Sequence, residues 1–359
     1  MVVSASAANN ALRSDTLDKD FQQGYQMEEM VNRRKRSMGN VELLTILKHL
    51  CQKYPELKAL IQLQEGLDAV LRGCDMQELD FSYVLSYPPG HFHSPLPSAT
   101  EVARLAPRIW GDLPENLPGI DLNTRGQHRL FANFTKHYKE LPYRDGERGQ
   151  LRYHFDNILF CYADAIFFYC MLREFAPRRL IEIGSGYSSC IALDFVDLGH
   201  PMNCTFIEPY PQRLHSLLRP DDYAHISIIE DFIQNVPLDI FTTLEKNDIL
   251  FIDSSHVGKI GSDVLFELFE ILPRLKEGVI LHVHDIFYPF EYPREWVENN
   301  HWAWNENYFL RAFLQDNKAW RILFFNNYLC NMFPDMVRKW TPLAMKNTGG
   351  SLWLVKTGD

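Results

Sequence analysis

The sequence predicts an α/β fold on a seven-stranded, largely parallel sheet, and three observations lead there. After Arg178, short β-rich runs alternate with helical segments, which is the pattern of βαβ units. The runs are close to continuously apolar, as strands covered on both faces must be. The first of them ends in a glycine turn that opens a helix, and open sheets of this class bind ligands at such a strand end.

The seven runs are 179–184 (RLIEIG), 203–208 (NCTFIE), 225–229 (HISII), 248–253 (DILFID), 278–284 (GVILHVH), 320–326 (WRILFFN) and 351–356 (SLWLVK). A helix over 161–175 covers one face ahead of the first strand. The apolar stretch 158–172 is interrupted by Asp164 and falls short of the roughly 20 residues of a membrane span, so it reads as a buried helix. Upstream, residues 1–40 are polar and read as a flexible N-terminus. From Val41 leucines recur near period 3.6, predicting one or two helices over 41–72 that serve homodimerisation, docking or a lid, or are purely structural. Residues 85–98 carry four prolines with His91 and His93 and form an extended connector. The domain division is therefore 1–40, then 41–150 as helical region and connector, then 151–359 as the α/β domain.

The chain has 359 residues with 46% hydrophobic, 23% charged and a formal net charge of −10, an ordinary globular composition. That charge argues against nucleic acid as a partner, and the lone basic run Arg33–Arg34–Lys35–Arg36 reads as a solvated helix face. Seven cysteines with no Cys-x-x-Cys pair indicate neither a disulfide scaffold nor a zinc ribbon. Together with an N-terminus lacking the pattern of a secretory signal, they place the protein in the reducing cytoplasm.

The chemistry concentrates at strand ends. Glu182-Ile-Gly184-Ser185-Gly186-Tyr187-Ser188-Ser189 lets backbone approach a ligand closely at the start of a helix near Ser189. The second strand ends in Glu208, where an acid accepts from both hydroxyls of an adenosine ribose. The third ends in Asp231-Phe232, an acid for an adenine amino group beside a ring to cover the base. Nicotinamide and adenosyl cofactors both use this arrangement, although the dinucleotide fingerprint wants a smaller residue at Ser189.

The segments IEIGSGYSS (181–189), FIEP (206–209), FIDSSHV (251–257), HVHDIFYPFEYP (282–293) and WNENYFLRAFL (304–314) resemble those of class I S-adenosylmethionine-dependent methyltransferases. The resemblance covers about 150–356. It implies a Rossmann-like sheet whose last strand is antiparallel, with S-adenosylmethionine as cofactor. Glu182, Gly184, Ser185, Gly186 and Tyr187 would line its methionine end, with orienting the glycine loop as a competing role for Glu182, Glu208 would meet the ribose, and Asp231 and Phe232 the adenine. Asp253, also a cofactor contact, joins His256, His284 and Asp285 at one sheet edge beside the transferable methyl. There His256 or His284 would take a proton from an acceptor. Alternatively Asp253, Asp285 and His284 would hold Mg²⁺ or another divalent ion. His282, one alternation back, reads as core. Residues 286–296 form an aromatic lid or core, and Tyr153, His154, Asn157, Tyr162 and Asp164 would close the other side of the cofactor site. The function implied is O-methylation of a small-molecule or glycan hydroxyl. The rival readings are an NAD(P)-dependent oxidoreductase and a non-catalytic S-adenosylmethionine-binding or assembly protein.

Overall fold

The computed structural model describes residues 87, 89–146 and 149–358. The expected N-terminus over 1–40, the helices over 41–72, the basic run and the first residues of the proline-rich connector lie outside them.

The seven expected runs are seven strands: β1 (Arg179–Ile183), β2 (Asn203–Ile207), β3 (Ile226–Ile229), β4 (Ile249–Ile252), β5 (Ile280–Val283), β6 (Trp320–Phe325) and β7 (Leu352–Lys356). They form one sheet in the order β3-β2-β1-β4-β5-β7-β6. Strands β1 to β5 pair in parallel, and β7 runs antiparallel between β5 and β6. This is the Rossmann-like methyltransferase sheet. Because β2 and β3 build outward on one side of β1 and β4 and β5 on the other, the strand order switches at β1/β4, and a crevice opens at their carboxyl ends. The strands run one to three residues shorter than their apolar runs, trimmed at one or both ends.

Helix α1 (Ala99–Ile109) is followed by α2 (Thr124–Tyr138) and α3 (Tyr162–Phe175). In α3 every residue from Ala163 to Leu172 is buried, which is why its apolar pattern shows no clean face. One side meets the sheet, with the Phe168 and Phe251 rings 4.9 Å apart. The other meets α2, where Phe134 and Phe167 stack at 6.2 Å. Helix α2 is also tied to β6: Asn123 donates to the Ile322 carbonyl at 2.8 Å, and Gln127 accepts from the Phe325 amide at 2.8 Å. The compact unit holding the sheet accordingly begins at Tyr87, well ahead of the expected start at 151.

Helix α4 spans Tyr187–Asp197 and so begins two residues before Ser189. The reason is Ser189 itself, whose hydroxyl accepts from the Gly186 amide at 3.0 Å and secures the first turn. Among the described residues no helix is long and apolar enough to cross a membrane, and five cysteines, Cys161, Cys170, Cys190, Cys204 and Cys330, are free.

Candidate active site

Strand β1 delivers the glycine turn. Gly184 has φ of +80°, and a Cβ there would lie 1.8 Å from the carbonyl oxygen of Asp253, so only glycine lets the ends of β1 and β4 pass. Gly186 differs: the nearest atom to a Cβ on it is Arg213 Cδ at 3.5 Å, leaving open space above the turn. Ser185 Oγ faces the same cleft, buried and without a hydrogen-bond partner. Room over Gly186 and an unpaired hydroxyl beside it suit the methionine end of an adenosyl cofactor.

Glu182 does not reach this cleft. It is fully buried beneath the turn and accepts from the Ser188 and Ser189 hydroxyls, the latter at 2.8 Å. Burial pushes its carboxyl up to about 8 despite those bonds. The expected cofactor contact is thus a brace that holds the glycine loop to the start of α4.

At the end of β2, half-buried Glu208 accepts from the Ser185 amide at 3.2 Å and the Tyr210 amide at 2.9 Å. It lines two adjoining clefts of about 370 and 420 Å³, as does Asp253 after β4. Phe232 is half-exposed in the smaller cleft, with Tyr210 edge-on to it at 5.9 Å. Asp231 again departs from expectation. Its Oδ1 accepts from the Phe232 amide at 2.7 Å and from Asn235 at 2.8 Å, so the carboxylate closes its own turn and lies outside the cleft lining. Tyr210 was not foreseen; its place two residues after Glu208 is the signal that would have found it.

The larger cleft runs from the glycine turn to Asp253, His256, His284, Asp285 and Trp304. His256 sits in the left-handed region (φ +60°) after β4, and Asp285 (φ +56°) after β5. These turns converge four side chains. His284 Nδ1 lies 3.2 Å from Asp253 Oδ1 and 3.7 Å from Asp285 Oδ1. His256 Nε2 lies 3.4 Å from Asp253 and 3.5 Å from Asp285, while its Nδ1 bonds buried Glu306 at 2.9 Å. Glu306 opens α5 (Glu306–Leu314), 50 residues along the chain, and went unassigned in the sequence although its WNEN segment was noted.

Electrostatics follow from these pairs. Burial opposes the Asp253 charge, but His284 and then His256 hold its carboxyl well below the usual range. Burial would likewise lower His256, yet its hydrogen bonds to the carboxylates of Asp253 and Glu306 carry it up to about 10. His284 is raised well above its ordinary value as Asp285 and Asp253 outweigh burial. Asp285, in contrast to Asp253, is pushed up by burial to about 6 against the two imidazoles. Both histidines therefore hold their protons near neutral pH, and neither is the free base expected for them.

The metal expectation finds no counterpart: among the described residues no group of three or more His, Cys, Asp or Glu is placed to hold an ion. His284 lies in ion-pair range of both Asp253 and Asp285.

The residues expected to close the far side brace it instead. Tyr153 donates to the Phe160 carbonyl at 2.8 Å, and Asn157 pins the same turn through the Phe160 amide at 2.8 Å. Tyr162 reaches out to Asp145 at 2.9 Å, and the His154 ring lies edge-on to Tyr187 at 5.9 Å. Asp164 takes Ser351 Oγ at 2.6 Å and lies 3.6 Å from His284 Nε2. What faces the cleft is Leu159 and Phe160. His282 is core, stacked on Phe251 at 3.8 Å. His91 and His93 pack with Tyr87 and lie outside the clefts at this sheet edge. In 286–296, Ile286, Tyr288, Phe290 and Tyr292 are buried, and the last three line a third cleft together with Phe287 and Trp296.

Residues 181–286 match the family model of a methyltransferase domain. An uncharacterized protein of Archaeoglobus fulgidus is 33% identical over 171 residues, spanning 45% of this chain and 76% of that relative, and the chain belongs to its family. Among solved structures, the Podospora anserina methyltransferase PaMTH1 bound to S-adenosylhomocysteine is similar at 15% identity, covering 73% of this chain and 95% of that one with a TM-score of 0.36. The O-methyltransferase TomG of Streptomyces achromogenes, in complex with S-adenosylmethionine, gives 14% identity, 73% and 97% coverage and 0.35.

Proposed function

We propose that the protein transfers a methyl group from S-adenosylmethionine to a hydroxyl of a small molecule or glycan. The observation that carries this reading is one cleft lined by the glycine turn and Glu208 at one end and by the Asp253–His256–His284–Asp285 cluster at the other. The methyltransferase match over 181–286 favours it over the nicotinamide-dependent alternative.

Each residue then has a task. Glu208 receives the ribose hydroxyls, and Phe232 with Tyr210 flanks the adenine. The amino end of α4 and Ser185 Oγ take the carboxylate of the methionine part, because unpaired amides and a hydroxyl there favour negative charge. When bound, S-adenosylmethionine supplies an electrophilic methyl on a sulfonium, and the ionised Asp253 lies at the edge where that positive charge must be held. Asp285 accepts the acceptor's hydroxyl proton, since it alone of the four combines access to the cleft with a pKa near 6. His256 and His284, kept protonated by their carboxylates, stabilise the oxygen as its proton departs. Glu306 positions His256 through Nδ1.

The test is calorimetric titration with S-adenosylhomocysteine, with NADH as comparison ligand and Mg²⁺ and Mn²⁺ as separate arms. Saturable one-site binding of S-adenosylhomocysteine alone is expected. Binding of NADH in its place would overturn the reading, and a strict metal requirement would reinstate the Asp253/Asp285 ion site.

A further inference from the structure

The carboxyl edge of the sheet carries a third cleft, about 970 Å³, at the upper end of ordinary ligand-site volumes. It sits over the other half of the edge. Phe287 follows β5, Asn327 follows β6, and Thr348 and Gly349 precede β7, so the opening lies above β5-β7-β6. The two cofactor clefts lie above β3-β2-β1-β4, and the His/Asp cluster falls between the halves. Trp304 of the chemical cleft touches Trp296 of the third cleft edge-on at 5.5 Å, and Phe287 stands two residues from Asp285.

The outer wall is built to stay. Trp110, at the end of α1, donates its indole N–H to the Tyr292 carbonyl at 2.9 Å, and the Tyr288 hydroxyl bonds the Pro114 carbonyl. These contacts clamp 110–114 onto the 287–296 segment with the cleft between them. Its lining mixes ring faces, including Trp110, Trp296 and the half-exposed Tyr308, with the planar polar side chains of Arg108, Arg311 and Asn327.

We infer that this cleft is the acceptor site and that its acceptor is a saccharide of two or more units. The inference rests on the methyl-transfer reading and narrows it. A sugar ring offers an apolar C–H face and a rim of hydroxyls. Aromatic faces suit the first, and planar donors and acceptors suit the second with paired hydrogen bonds. A flat phenolic acceptor presents one edge with one or two oxygens to the guanidinium groups of Arg108 and Arg311, whereas the hydroxyl rim of a saccharide offers acceptors to both. The volume exceeds the need of a single ring and spans from exposed Arg108 to the residues beside Asp285.

The experiment titrates the full-length protein, saturated with S-adenosylhomocysteine, with malto-, chito- and xylo-oligosaccharides of two to four units, and with catechol and caffeate. At least one oligosaccharide is expected to bind below 1 mM. Tyr308→Ala with Arg311→Ala should weaken it at least tenfold while S-adenosylhomocysteine affinity stays within twofold. Arg108→Ala, on the opposite wall and exposed, gives an independent variant that leaves the core untouched. Silence across the oligosaccharides, binding of the phenols instead, or binding indifferent to these variants overturns the saccharide assignment. Failure of S-adenosylhomocysteine to bind at all would strike the methyl-transfer reading instead, so the two failures are separable.

Discussion

The contrast between Gly184 and Gly186 separates what holds the fold from what receives the ligand. In Gly184→Ala the new methyl would start 1.8 Å from the Asp253 carbonyl oxygen and 2.6 Å from its carbon, at φ +80°. The left-handed backbone costs about 1–2 kcal/mol for a residue with a Cβ. Forcing the β4 backbone aside adds about 1–3 kcal/mol, the usual cost of overpacking. A loss of about 2–5 kcal/mol follows, measured as a shift in urea midpoint at unchanged slope. Gly186→Ala meets nothing nearer than 3.5 Å and needs no left-handed backbone, so its stability should move by less than about 0.5 kcal/mol. Its methyl intrudes on the open cleft, and S-adenosylhomocysteine affinity should fall at least tenfold. If Gly184→Ala unfolds like the parent protein, or Gly186→Ala binds like it, the close β1–β4 crossing or the ligand cradle is wrong.

Glu182→Gln should flatten the pH dependence of stability between about pH 5 and 8. A buried carboxyl raised to about 8 binds its proton in the folded state first, so the parent loses stability as pH rises through that window, at up to about 1.4 kcal/mol per unit, and pH-resolved denaturation of both forms isolates the difference. Glu208→Ala should cost about 1–2 kcal/mol of stability from two lost amide hydrogen bonds and weaken S-adenosylhomocysteine at least tenfold, read by denaturation and calorimetry. Glu306→Gln should lower the His256 pKa from about 10, because one of the two carboxylates that raise it is gone, and an NMR titration of the imidazole checks this. Arg152→Met should destabilise by about 3–5 kcal/mol in urea titration, since that buried guanidinium serves Asp194, Asp197 and Asp222 together and its loss strands buried charge.

Apolar continuity announced β4 and β5 most plainly, because a parallel strand covered on both faces cannot alternate. Glu208 was equally legible: an acid directly after an apolar run has nowhere to go but the sheet edge. Helix α2 was not resolved within its region. Its buried face includes Gln127, which reaches the Leu122 carbonyl at 2.6 Å and the Phe325 amide, and a polar residue there breaks the hydrophobic period. Glu182 and Asp231 were legible as acids at strand ends but not in their orientation. One is captured by the hydroxyls of Ser188 and Ser189, the other by Asn235 and its own turn, and such local captures are decided by backbone geometry. Glu306 meets His256 only once β4 and α5 have come together, a pairing that no local pattern encodes.

Helix α3 has no outer surface of its own, because α2 covers the side that the sheet does not. A polypeptide begun at residue 151 would keep every strand and every residue of the chemical cluster, yet it would bare Phe167 and Phe324 where Phe131 and Phe134 now lie. An exposed apolar patch of that kind invites self-association. Solubility thus sets a boundary to this protein that catalysis does not, and the boundary lies ahead of α2.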